Sequence, residues 1–148
     1  MTEKMKNITK EEWRKLGFYY DRDDPNKKWV LVGSKTGMED FCTILDRYTG
    51  NNRNARMGEH DHFGPYQYLT IRTGKVFNIT SDCICGSLED LKILSAIIKV
   101  EIKNTKDEEL PVIKLLNDNL LKKNDYMIQI NFMEYGYDPA SADTQLWS

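Results

Sequence analysis

Between Thr36 and Gly50 the apolar residues Met38, Phe41, Cys42, Leu45 and Tyr48 recur at i, i+3, i+4, i+7 and i+10. That spacing lays all five on one face of a helix. Thr36 and Glu39 stand at capping-box spacing and Gly50 is a good C-terminal stop. An apolar stripe of this width must be covered, so the flanking segments have to supply an apolar surface. Upstream, Phe18-Tyr19-Tyr20 and Trp29-Val30-Leu31-Val32 are β-prone runs separated by the polar turn Asp21 to Lys28, which predicts a hairpin. A short helix over residues 10–16 precedes it, opened by Thr9 with Glu12 and closed by Gly17.

Downstream, residues 51–63 carry no apolar periodicity and are expected to form a loop, of a length that is often functional in compact domains. Gly64-Pro65 punctuates the chain. Tyr66 to Thr73 alternates, with Leu69 and Ile71 on one face, and Phe77 to Cys85 is a second strand candidate. Ser87 and Asp90 form a capping pair for a helix carrying Leu91, Leu94 and Ile98, widened by Ile97. Pro111 at a first-turn position, with Ile113, Leu116 and Leu120, predicts a third long helix. Tyr126 to Glu134 alternates, with Tyr126, Ile128, Ile130 and Phe132 on one face. Residues 136–148 have no pattern and are expected to be a loose C-terminal tail.

The order helix, two strands, helix, two strands, two helices, strand is not the alternation of a doubly wound sheet. It predicts an α+β fold over residues 1–148 as a single domain. Its sheet is expected to be mixed or mainly antiparallel, of about five strands, with helices packed on one face. A chain of 148 residues buries about 68–70% of its unfolded surface, so it requires no disulfide or metal staple. The three cysteines, Cys42, Cys83 and Cys85, are too few for a disulfide framework. A net charge of −2, from 21 basic and 23 acidic residues, leaves no electrostatic footprint for nucleic acid. No segment approaches the ~20 apolar residues of a membrane span and no signal-peptide core follows the N-terminus, so no membrane partner and a cytoplasmic location are expected.

Chemistry could reside in Glu59-His60-Asp61-His62-Phe63-Gly64-Pro65-Tyr66. In an extended segment His60 and His62 point to one side, as metal ligands do, and Cys83 and Cys85 share that spacing. Neither pair matches the Cys-x₂₋₄-Cys spacing of zinc sites, and Cys83 and Cys85 read as small core-facing strand residues. No metal and no cofactor is therefore expected. Asp21, Asp23 and Asp24 resemble the start of a calcium loop, but the positions that need Gly and Glu hold Asn26 and Val32. A solvated turn explains them better. Cys42 lies on the apolar stripe, and no phosphate-cradling glycine motif is present. Glu59 and Asp61 flank the histidines, so a small metal- or His-dependent enzyme is the competing class. The less demanding role is binding: Tyr19, Tyr20, Phe63, Tyr66 and Tyr68 gather near turns and strand starts beside acidic residues. A third role for the histidines is bracing the fold through turn backbone.

One set of blocks has a distinctive order. These are Leu16-Gly17-Phe18-Tyr19-Tyr20-Asp21-Arg22-Asp23-Asp24, Trp29-Val30-Leu31-Val32-Gly33-Ser34, Arg53-Asn54-Ala55, Glu59 to Leu69, and Gly86-Ser87-Leu88-Glu89-Asp90-Leu91. Over residues 11–103 the chain resembles a family of small bacterial proteins grouped with the immunity proteins of polymorphic toxin systems. The resemblance implies a non-enzymatic protein that binds a cognate protein toxin and neutralises it, and it brings no catalytic residues. The shared face of His60 and His62, the acidic Glu59 and Asp61, and the distinctiveness of this block in the resemblance put the expected binding surface at Glu59, His60, Asp61, His62 and Tyr66, with the acidic turn of Asp21, Asp23 and Asp24 as the alternative.

Overall fold

The computed structural model describes residues 1–147. Helix α1 spans Glu3–Leu16, several residues longer than its capping signal suggested. Thr2 is the true cap, its hydroxyl accepting from the Met5 N–H, whereas the Thr9 hydroxyl donates back to the Met5 carbonyl inside the helix. Strands β1 (Tyr19–Asp23) and β2 (Lys28–Gly33) form the expected hairpin. Helix α2 (Lys35–Thr49) is capped by Ser34 rather than Thr36, and all five residues of its stripe are buried. Strands β3 (His60–Phe63), β4 (Leu69–Thr73), β5 (Asn78–Ile79) and β6 (Ile84–Gly86) follow. Helix α3 (Leu88–Asn104) starts at Ser87, whose hydroxyl accepts from the Asp90 N–H. Strands β7 (Val112–Leu115) and β8 (Met127–Phe132) complete the elements.

The fold is α+β, but its strands form two mixed four-stranded sheets rather than one of about five. The first runs β1-β2-β8-β7 and the second β3-β4-β6-β5. In each, the central pair is parallel and both outer pairs are antiparallel. One apolar cluster runs through both sheets and takes in α2 and α3, with Phe41, Ile71, Leu94 and Ile130 among its fully buried members. The sheets are tied directly as well. The Trp29 indole N–H donates to the Thr80 carbonyl at 2.7 Å, and the Tyr126 N–H to the Ile79 carbonyl at 2.8 Å.

Three local expectations are corrected. Residues 112–115 form an edge strand, not a helix: Val112 pairs with Phe132 and Leu115 with Gln129. The apolar run there is short enough to fit either period, and β8 offers an unpaired edge that the β-branched Val112 and Ile113 satisfy. Residues 51–63 are not a plain loop. Asn52–Ala55 makes a 3₁₀ turn around buried Asn54, and β3 follows it. Within its described residues, 136–147, the tail is not loose, and Ser148 lies outside them. Pro139–Ala142 and Thr144–Leu146 are 3₁₀ turns packed on α1, with Ala140, Asp143 and Leu146 buried. Among the described residues no helix is long and apolar enough to cross a membrane.

Candidate functional site

Strand β3 is held from behind by Tyr48 of α2, whose hydroxyl donates to the Glu59 carbonyl at 2.8 Å and lies 2.7 Å from Thr73 Oγ1. Alternation along β3 then sends His60 and His62 to one face, both exposed, with ring centroids 5.1 Å apart. His60 Nδ1 meets the Gly58 carbonyl at 3.0 Å, which requires that nitrogen to be the donor, and His62 Nδ1 lies 2.9 Å from Thr70 Oγ1. Asp61, one residue out of phase with the imidazoles, lies 3.5 Å from Arg53, and Glu59 lies 3.9 Å from the same guanidinium. The acidic charge of this segment is thus partly compensated by its neighbour. Neither carboxylate orients an imidazole.

The cysteine strand does not complete a metal site. Pairing places His60, Arg72 and Cys85 in one row across β3, β4 and β6. Two strand spacings, roughly 9–10 Å, therefore separate His60 from Cys85, with the exposed Arg72 between them. Among the described residues no group of three or more His, Cys, Asp or Glu could hold a metal ion. Cys83 and Cys85 are not core-facing. The buried side chain between them is Ile84, and both thiols are half-buried on either side of it.

The carboxylates of the β1–β2 hairpin serve its turn. Asp23 accepts from the backbone and side-chain amides of Asn26 at 3.3 and 2.9 Å. Asp24 accepts from the Tyr126 hydroxyl at 2.7 Å and lies 3.7 Å from Arg22. Asp21 accepts from the next backbone N–H at 2.8 Å, lies beside the Tyr19 hydroxyl and stays exposed.

Tyr66 belongs to a different environment from the histidines. The β3–β4 connection that carries it is anchored by Tyr20, whose hydroxyl donates to the Phe63 carbonyl at 2.5 Å and accepts from the Tyr68 N–H at 3.2 Å. Gly64 makes that approach possible: at φ +88° it takes a left-handed conformation, and a Cβ there would strike the Tyr20 ring. The Tyr66 ring consequently packs edge-on to Trp13 of α1 and stacks with Tyr68 at 5.8 Å. Its hydroxyl donates to Asp143 Oδ2 at 2.7 Å.

Around this contact lies a cleft of about 170 Å³ walled by Trp13, Tyr19, Tyr20, Trp29, Tyr66 and Tyr68. It opens where α1, the β1–β2 hairpin, the β3–β4 connection and the C-terminal segment meet. Asp143, 4% exposed, sits in it and also accepts from Trp13 Nε1 at 2.9 Å and from the Gln145 N–H at 3.2 Å. Burial, then the nearby Asp21 and Asp143 charges, push the Tyr19 hydroxyl up to about 12. Burial, then the bond to Asp143, push the Tyr66 hydroxyl up as well. Both phenols are therefore neutral donors near neutral pH. Sequence patterns pointed to Tyr66, Tyr68, Tyr19 and Asp21 but not to Trp13, Trp29 or Asp143, because the segment holding Asp143 has no periodicity.

No protein-family model, no curated protein and no solved structure matches this chain.

Proposed function

We propose that this chain is a non-enzymatic binding protein, an immunity protein that binds a cognate bacterial toxin in the cytoplasm and neutralises it. The observation that carries this proposal is the aromatic surface at the β3–β4 connection. Tyr68 is 66% exposed and stacked on Tyr66, which is itself pinned to buried Asp143. A rigid, solvent-facing tyrosine pair over a fixed base is the kind of anchor that concentrates interface energy, because little side-chain entropy remains to be lost on binding. The resemblance of residues 11–103 to the immunity proteins of polymorphic toxin systems points the same way. The histidine geometry also favours binding over acid–base catalysis, since both Nδ1 atoms engage Gly58 and Thr70 while Glu59 and Asp61 turn to Arg53.

The test is to search the neighbouring genes for a toxin and to co-express its toxic domain with this chain. The wild-type chain is expected to restore growth and to co-purify with the toxin domain. Tyr68→Ala should weaken the complex by about tenfold or more, as expected for an interface anchor. His60→Ala/His62→Ala, on the adjoining exposed strand, should weaken it less. Failure of the wild-type chain to protect against or bind that toxin would overturn the proposal.

A further inference from the structure

The buried carboxylate in the aromatic cleft lacks a counter-ion. Asp143 is satisfied by three neutral donors, the Trp13 indole, the Tyr66 hydroxyl and the Gln145 backbone. Among the described residues no cation forms an ion pair with it. A carboxylate removed from water gains most from a cation delivered to it. The lining holds two carboxylates, Asp21 and Asp143, against the single guanidinium of Arg22, which leaves one negative charge uncompensated.

That lining guanidinium already has partners. Arg22 donates to the Ser81 carbonyl at 2.7 Å and lies 3.7 Å from Asp24, with its guanidinium 6.0 Å from the Trp29 ring centre. An arginine head thus fits against these aromatic walls, and the exposed Tyr68 leaves an aromatic face open for another. The cleft volume of about 170 Å³ is below the range of drug-sized ligand sites and suits one side-chain head.

We propose that this cleft receives an arginine side chain of the bound partner protein, held between the Tyr66 and Tyr68 rings and the carboxylates of Asp143 and Asp21. Arginine fits the chemistry better than other cations. Its planar head stacks on aromatic faces and carries five N–H donors for carboxylate oxygens. A quaternary ammonium has no donor to offer Asp143, and a lysine ammonium loses more hydration on entry. The identity of the arginine's owner rests on the immunity reading; the chemistry of the cleft does not.

The probe is N-acetyl-arginine amide, titrated against the full chain by ¹H–¹⁵N correlation spectra. The neutral isostere N-acetyl-citrulline amide is the control. Trp13 reports locally, because its indole N–H is bonded to Asp143, while the Trp147 indole is bonded to the Ala140 carbonyl outside the cleft. Saturable movement of the Trp13 indole signal is expected with arginine, about tenfold weaker with citrulline, and little movement of the Trp147 signal. Asp21→Asn and Tyr68→Ala, both at exposed positions, should each weaken the arginine response severalfold without unfolding the chain. Equal responses to arginine and citrulline, or no saturable response, would overturn the inference. If arginine binds but the candidate toxin does not, the cleft assignment stands and the immunity reading fails. If the toxin is neutralised equally well by Asp21→Asn and Tyr68→Ala, the assignment of the cleft to that interface fails and the immunity reading stands.

Discussion

Trp13 and Asp143, 130 residues apart in sequence, are joined by a buried hydrogen bond of 2.9 Å from the indole N–H to the carboxylate. The same oxygen accepts from the Tyr66 hydroxyl. One short C-terminal turn thereby fastens the first helix to the β3–β4 connection and forms the floor of the aromatic cleft.

Asp143→Ala should therefore destabilise the chain by about 2–3 kcal/mol, because it strands the Trp13 indole and the Tyr66 hydroxyl without an acceptor. Trp13 would also shift its fluorescence on losing the carboxylate. Urea unfolding of the variant at neutral pH measures the loss. A change below about 0.5 kcal/mol would show that water replaces the carboxylate freely.

Acid should loosen the same segment through Asp138. The hydrogen bonds from Arg14, at 3.1 and 2.9 Å, outweigh burial and hold the Asp138 carboxyl below its usual value. A carboxyl lowered in the folded state contributes stability above its unfolded pKa of about 3.9 and loses it as pH falls through the lower folded value. The contribution is small, since both side chains are more than a third exposed. Asp138→Asn should then show a smaller drop in unfolding midpoint between pH 7 and pH 3 than the wild-type chain. An identical drop in the two proteins would rule this linkage out.

Each hairpin carboxylate should be replaceable. Asp21→Asn, Asp23→Asn and Asp24→Asn are expected to change stability by no more than about 0.5 kcal/mol, because asparagine still offers a carbonyl oxygen to Asn26 or Tyr126. Thermal unfolding of the three variants is the check. A loss above about 2 kcal/mol at any one position would mean that its negative charge, not its oxygen, holds the turn.

Thiol reactivity should separate the cysteines. Cys42 is 2% exposed, and burial pushes its thiol up to about 11. Alkylation of the native chain at pH 8, followed by mass spectrometry of its peptides, should label the half-buried Cys83 and Cys85 and leave Cys42 until the chain unfolds. Labelling of Cys42 as fast as the other two would show that α2 opens readily.

The sequence by itself determined what local periodicity can carry. The stripe from Met38 to Tyr48 is buried at every position, Ser87 caps α3, and Ile128, Ile130 and Phe132 face the core from β8. Each follows from a geometric repeat within one element, 3.6 residues for a helix and two for a strand, and needs no knowledge of partners. Tertiary structure decided the rest. Val112–Leu115 is a strand because β8 presents an edge to it, and β3 escapes pattern recognition because His-Asp-His-Phe has no apolar alternation. The division into two sheets depends on β2 pairing with β8, which lies 99 residues away in sequence. Asp143 shows the same limit at the candidate site. Nothing adjacent to it in sequence predicts burial, since its two side-chain donors come from Trp13 and Tyr66. A polar residue is buried where distant donors satisfy it, and only the folded chain brings such donors together.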